Sequence, residues 1–186
     1  VGALVSPDGA MRPAIWSSPD ASTFTPVTLA ARTFYGRQNM MYTVGCRDGR
    51  IAAVGAKSGG AHGNPRVSTW YQRPDGSLTE VEAYFELYGG GEAVSTSRIA
   101  GGPLGWLIAG NRTSGAAVWV SADATEFELV EYGGAAQGAA TTATDLVATA
   151  DGWIVVGNVL PPGRPGRDPA AWTSTRRRSG TPAPPE

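Results

Sequence analysis

Residues 106–127 read Trp-Leu-Ile-Ala-Gly-Asn-Arg-Thr-Ser-Gly-Ala-Ala-Val-Trp-Val-Ser-Ala-Asp-Ala-Thr-Glu-Phe. Two short runs, Trp106–Gly110 and Ala116–Ser121, are built of aromatic, β-branched and small residues. Turn formers separate them, which predicts a hairpin. A second turn around Asp123 leads into Phe127-Glu128-Leu129, where apolar and acidic residues alternate as on a half-exposed strand. Working outward, Ala93–Gly101 supplies a further strand before Trp106, so the unit reads as four antiparallel strands, Ala93–Gly101, Trp106–Gly110, Ala116–Ser121 and Phe127–Glu131.

The same unit recurs. Trp16, Trp70, Trp119 and Trp172 follow one another at intervals of 54, 49 and 53 residues. Eight positions after each stands Phe24, Leu78, Phe127 and then Gly180, so the last unit breaks the pattern. A second element precedes each tryptophan: Arg-Ile-Ala-Ala-Val-Gly at 50–55, Trp-Leu-Ile-Ala-Gly at 106–110 and Trp-Ile-Val-Val-Gly at 153–157, opened by Trp106 and Trp153 in two cases. Val1-Gly2 reads as the tail of the same element. In the second unit the expected strands are Met40–Cys46, Arg50–Ala56, Val67–Gln72 and Leu78–Phe85. Four of the eight aspartates stand in Asp-Gly pairs (Asp8, Asp48, Asp75 and Asp151), a strong hairpin signal because both residues tolerate positive φ.

Composition narrows the function classes. The 186 residues carry a net charge of -1, which gives no basic excess for nucleic acid. Hydrophobic content of 41% is too high for a disordered chain, and no apolar run reaches the length of a membrane span. One cysteine, Cys46, excludes an internal disulfide or a multi-cysteine zinc site. Twenty-six glycines and fourteen prolines suit a chain that turns every dozen residues.

Repeated four-stranded units of about 50 residues predict an all-β chain of β-propeller blades. The expected blade segments are 1–31, 39–88, 93–132 and 142–175, about three and a half blades. Inner strands should be continuously apolar because neighbours cover both faces. Outer strands should carry charge, as Glu126 and Glu128 and, less regularly, Glu80 and Glu82 do. The first unit lacks its inner strand and the last its outer one, and no secretion signal is visible within these residues. The expectation is therefore a piece of a ring of six to eight blades, with the remaining blades of the same chain missing; a closed four-bladed form is the alternative. Residues 176–186, with Arg176, Arg177 and Arg178, read as a disordered or artefactual tail.

The turn after each tryptophan resembles the Asp-box of bacterial neuraminidase-repeat propellers, Ser-x-Asp-x-Gly-x-Thr-Trp. The matching residues are Ser18, Asp20 and Phe24, then Ser121, Asp123 and Phe127. Both turns are one residue shorter than the family form, lack its glycine and carry Phe for Trp. Asp75-Gly76 keeps the Asp-Gly, with Arg73 in place of Ser and Leu78 for the aromatic. The resemblance implies a turn between third and fourth blade strands, a carboxylate that accepts backbone N–H bonds, and an aromatic buried between strands. It implies a fold and an extracytoplasmic setting, secreted or in the cell envelope, rather than sialidase activity.

A sialidase-like enzyme would also need arginines converging on a carboxylate. Arg32, Arg37, Arg47, Arg98 and Arg112 are available, but none stands in a recognisable motif, and they read as surface cations. His62, the one histidine, lies in a loop with no metal-ligand spacing and no nucleophile elbow, and reads as solvated. Ala56-Lys57-Ser58 lacks the glycines of a phosphate loop. Cys46 reads as a buried small residue. Asn111-Arg112-Thr113 matches a glycosylation sequon by pattern alone. No catalytic, cofactor-binding or metal-ligating residue is assigned. The expected function is a non-catalytic extracytoplasmic module that binds a protein or glycan ligand at its axial loops, without nucleic acid. A sialidase-like glycan-processing fragment and a purely structural repeat segment of a larger surface protein are the alternatives.

Overall fold

A computed structural model describes residues 1–59, 63–89, 91–92, 94–131 and 140–175. His62, Ala93, residues 132–139 and the tail from Arg176 lie outside the described residues. The strands are β1 (Gly2–Val5), β2 (Met11–Ala14), β3 (Trp16–Ser17), β4 (Thr25–Pro26) and β5 (Leu29–Ala30). A single-turn helix α1 (Phe34–Arg37) precedes β6 (Met40–Arg47), β7 (Arg50–Lys57), β8 (Arg66–Gln72) and β9 (Leu78–Glu80). A 3-10 turn at Phe85–Leu87 leads to β10 (Ser95–Gly102), β11 (Gly105–Arg112), β12 (Gly115–Ser121) and β13 (Glu128–Glu131). Then come β14 (Ala140–Ala148), β15 (Gly152–Leu160) and β16 (Asp168–Thr175). The chain is all-β, and its sheets are mainly antiparallel.

Strand order within the sheets follows the chain: β10-β11-β12-β13 in one and β14-β15-β16 in the next. Two pairs, β1-β2 and β3-β4, make the first unit. Its third strand is split at Ile15, where two successive buried residues, Ala14 and Ile15, break the alternation. The second sheet has five strands rather than four, in the order β5-β9-β8-β7-β6. Leu29 and Ala30, placed by sequence in the first segment, pair in parallel with Leu78 and Thr79. The expected strand Leu78–Phe85 stops at Glu80. Among the described residues no closed ring is detected.

One device recurs in three first strands. Register shifts lie between Met41 and Thr43, Thr96 and Arg98, and Ala143 and Asp145. Each of these bulges lies opposite a glycine of the second strand, Gly55, Gly110 and Gly157. A Cβ on any of the three glycines would run into the facing first strand. The glycine that ends each apolar run is therefore a requirement of the bulge, which sharpens the local twist.

First strands of consecutive sheets also touch, β6 with β10 and β10 with β14. The Tyr42 side chain meets Thr96 in the next sheet, and Ser97 Oγ donates to the Ala143 carbonyl at 3.0 Å. Tyr42 and Ser97 are the bulged residues, so the same position makes the same kind of reach twice. The second strands β7 and β11 are buried on both faces. Ala53 packs towards the first unit with Ile15, Met41 and Trp70, while Ala52 and Val54 pack against Ile99, Trp106 and Ile108. Leu107 and Ala109 then face Leu146, Trp153 and Val155. These alternating faces explain why the runs at 52–54 and 106–109 are apolar at every position.

Candidate functional site

The aspartate turns come first. Asp20 Oδ1 accepts from Ser18 Oγ at 3.1 Å and from the N–H groups of Ser22 and Thr23 at 2.9 and 2.8 Å. Asp123 Oδ1 accepts from Thr125 N–H and hydroxyl at 2.9 and 2.7 Å, and Ser121 Oγ accepts from Ala124 N–H at 2.9 Å. Asp75 Oδ1 accepts from Ser77 N–H and hydroxyl at 3.0 and 2.6 Å. The N–H groups of Thr23 and then Ser22 hold the Asp20 carboxyl far below the usual range. The hydroxyls of Ser77 and Thr125 lower Asp75 and Asp123 in the same way. The residue after each aspartate has positive φ: Ala21 at 60°, Gly76 at 83° and Ala124 at 69°. Oxygens so engaged fasten a turn.

The paired aromatic positions are not equivalent. Leu78 and Phe127 are buried, but Phe24 is 60% exposed, contrary to the burial that the resemblance implies. Trp70, Trp106, Trp119 and Trp153 are buried, Trp172 is half-buried, and Trp16 is 36% exposed. The first unit has only short strands and no described neighbour on its far side, so Trp16 and Phe24 lack a partner face.

The arginines serve separate places. Arg32 pairs with Glu82 at 3.0 Å, Arg98 with Asp145 at 2.7 Å and Arg112 with Glu92 at 3.2 Å. Arg47 donates to the Ala122 carbonyl at 2.7 Å, and Arg37 is exposed on α1. Arg32, Arg47, Arg98 and Arg112 each engage a different partner, and the five do not assemble a shared grip on one ligand. Asn111, of the sequon pattern, clasps Ala143 through both amide atoms, at 3.0 and 2.8 Å. Cys46, expected inside, is exposed, because the strict alternation of β6 turns its side chain outward. It lines a shallow groove with Val44, Ala100 and Val147 along the first strands, where Arg98 and Asp145 neutralise each other.

A different set of residues forms the cavity with the most chemistry. It has a volume of about 120 Å³ and is lined by Tyr35, Arg66, Glu80, Tyr84, Phe85 and Tyr88, among others. Sequence reasoning placed Glu80 on an exposed edge; it is 2% exposed. Glu80 Oε2 accepts from the N–H groups of Arg32 and Thr33 at 2.7 and 2.8 Å. Oε1 accepts from Thr33 Oγ1 at 2.7 Å and Ser68 Oγ at 2.9 Å. Thr33 Oγ1 in turn accepts from Gly36 N–H at 2.9 Å, capping α1. One carboxylate thus pins the segment after β5 onto the second sheet.

Arg66 opens β8 and enters the cavity beside this latch. Its Cζ lies 4.5 Å from the Phe85 ring centroid and 5.7 Å from that of Tyr35. Tyr84 and Phe85 are 62% and 53% exposed, so aromatic surface rims the opening. Tyr88 is buried beneath and tilts against Trp119 at 5.7 Å; burial pushes its phenol up. Sequence reasoning missed Arg66. The signal available was the aromatic pairs Phe34-Tyr35 and Tyr84-Phe85, which fall outside the repeat and outside any apolar run.

Among the described residues, no group of three or more His, Cys, Asp or Glu side chains is placed to hold a metal ion, and no helix is long and apolar enough to cross a membrane. Compared with protein-family models and with curated proteins, the chain matches none.

Proposed function

We propose that the chain is part of an Asp-box-type β-propeller, about three and a half blades of a larger ring, and works outside the cytoplasm as a non-catalytic binding module. The observation that carries the architecture is the repeated contact of bulged first strands, β6 to β10 to β14, together with the second strands β7 and β11 buried on both faces. Such contacts are what blades side by side around an axis require. The extracytoplasmic setting rests on the resemblance of the Asp20 and Asp123 turns to that family.

Binding is supported by the aromatic-rimmed cavity at Arg66, a small concavity where a guanidinium, a carboxylate and several hydroxyls meet aromatic surface. The dispersed ion pairs of Arg32, Arg98 and Arg112 count against the sialidase-like alternative. The test is binding of the full chain to a panel of glycans and peptides. The reading predicts a ligand that is bound without being altered. A panel with no bound member supports the purely structural alternative, and turnover of a bound glycan supports the enzyme.

A further inference from the structure

We infer that the Arg66 cavity is a carboxylate-binding site, taking a ligand whose adjoining ring or apolar part lies on Tyr84 and Phe85. The inference rests on the binding-module reading and names the chemistry of its ligand. A guanidinium has five N–H donors in a fixed fork. Among the described residues, that of Arg66 makes no ion pair and no hydrogen bond, and its Nε is buried without an acceptor. The group is nevertheless held in place by the Phe85 and Tyr35 rings. A cation already ordered, with its donors unused, is prepared for an acceptor from outside.

The neighbouring acid does not supply that acceptor. Each Glu80 oxygen already takes two hydrogen bonds, from Arg32 and Thr33 on one side and from Thr33 and Ser68 on the other. Arg66 therefore remains as the charged group with free donors. The planar fork matches the two oxygens of a carboxylate. A volume of about 120 Å³ admits a small acid group and the start of its body, and the exposed faces of Tyr84 and Phe85 receive the rest. Inorganic phosphate, with four oxygens to satisfy, is less well matched by a single two-pronged guanidinium.

The experiment is calorimetric titration of the full chain with benzoate and glucuronate, each against its uncharged counterpart, benzamide and glucose, and with inorganic phosphate. Wild type should bind at least one acid at least tenfold more tightly than its neutral counterpart and than phosphate. Whichever acid binds distinguishes an aryl or peptide-like source from a sugar acid. Arg66→Gln should abolish the margin, and Arg66→Lys, which keeps the charge without the fork, should recover only part. Gly89→Ala offers a second route, because a methyl there would stand 2.8 Å from Arg66 Nη1 and should weaken acid binding severalfold. Equal binding of acid and neutral probes, tighter phosphate, no bound probe, or acid binding unmoved by both Arg66→Gln and Gly89→Ala overturns the assignment. A panel ligand bound by the full chain, with no acid probe bound in an Arg66-dependent way, overturns the carboxylate site while the binding module stands.

Discussion

Thr33 donates twice to Glu80, from its N–H at 2.8 Å and its hydroxyl at 2.7 Å, and so ties the segment that follows β5 to β9 of the second sheet. This contact spans 47 residues of sequence. It makes Glu80 a fastener of tertiary structure in a place where a surface charge is expected.

Glu80→Gln keeps the shape but leaves one oxygen where two accept. At about 1–3 kcal/mol for each buried donor left without a partner, the variant should lose about 2 kcal/mol or more. Gly36→Ala should do comparable damage, since a Cβ at Gly36 would overlap the Glu80 carboxylate. The double variant should cost less than the sum, because both break one contact. Urea denaturation at neutral pH measures all three. Midpoints equal to wild type would show that the latch carries no stability.

The turns offer a test with the opposite sign. Ala21 and Ala124 occupy left-handed backbone, at φ 60° and 69°. That conformation costs a residue with a Cβ about 1–2 kcal/mol, and a glycine escapes this at some expense in unfolded-chain entropy. Ala21 is exposed, so Ala21→Gly should stabilise by about 0.5 kcal/mol. Ala124 is 2% exposed and belongs to the core with Trp119 and Phe127. Ala124→Gly loses that packing and should come out neutral or destabilising. Thermal melts of the two variants should move in different directions; equal shifts would contradict the turn geometry.

These comparisons show which parts of the fold were readable. The strands around Trp106 and Trp119 were, because local alternation and turn chemistry decide them. The bulges at Tyr42, Ser97 and Thr144 were not, although the glycines opposite them recur visibly. The fate of Glu80 was not legible either, because its partners come from another unit and the parallel pairing of Leu29 with Leu78 has no local signal. The aspartates of the turns were found from sequence, since Asx chemistry acts within three residues. Arg66 was missed because its rings come from two connections that the repeat does not predict.

Acid should weaken the protein through its turns. Asp20, Asp75, Asp123 and Asp145 all have carboxyls lowered in the folded chain, the last chiefly by its hydrogen bond with Arg98. A carboxyl lowered by folding contributes stability that is complete above its unfolded value, near pH 4, and is lost as pH falls through the folded value. The melting temperature should therefore decline below about pH 5. Replacing Asp20, Asp75 and Asp123 together by Asn should flatten that decline. An acid limb as steep as that of wild type would place the titrating groups elsewhere.

The central claim is that successive sheets turn about a common axis. Ser22, Pro74 and Glu126 lie exposed in equivalent turns of three consecutive sheets. Cysteines at two of these positions, in a Cys46→Ser background, can carry spin labels for pulsed dipolar distance measurement. In a ring of four to eight blades, the 22–126 distance should be roughly 1.4 to 1.85 times the mean of the 22–74 and 74–126 distances. A ratio near two would mean that the sheets stack in a straight row, and would contradict the propeller account.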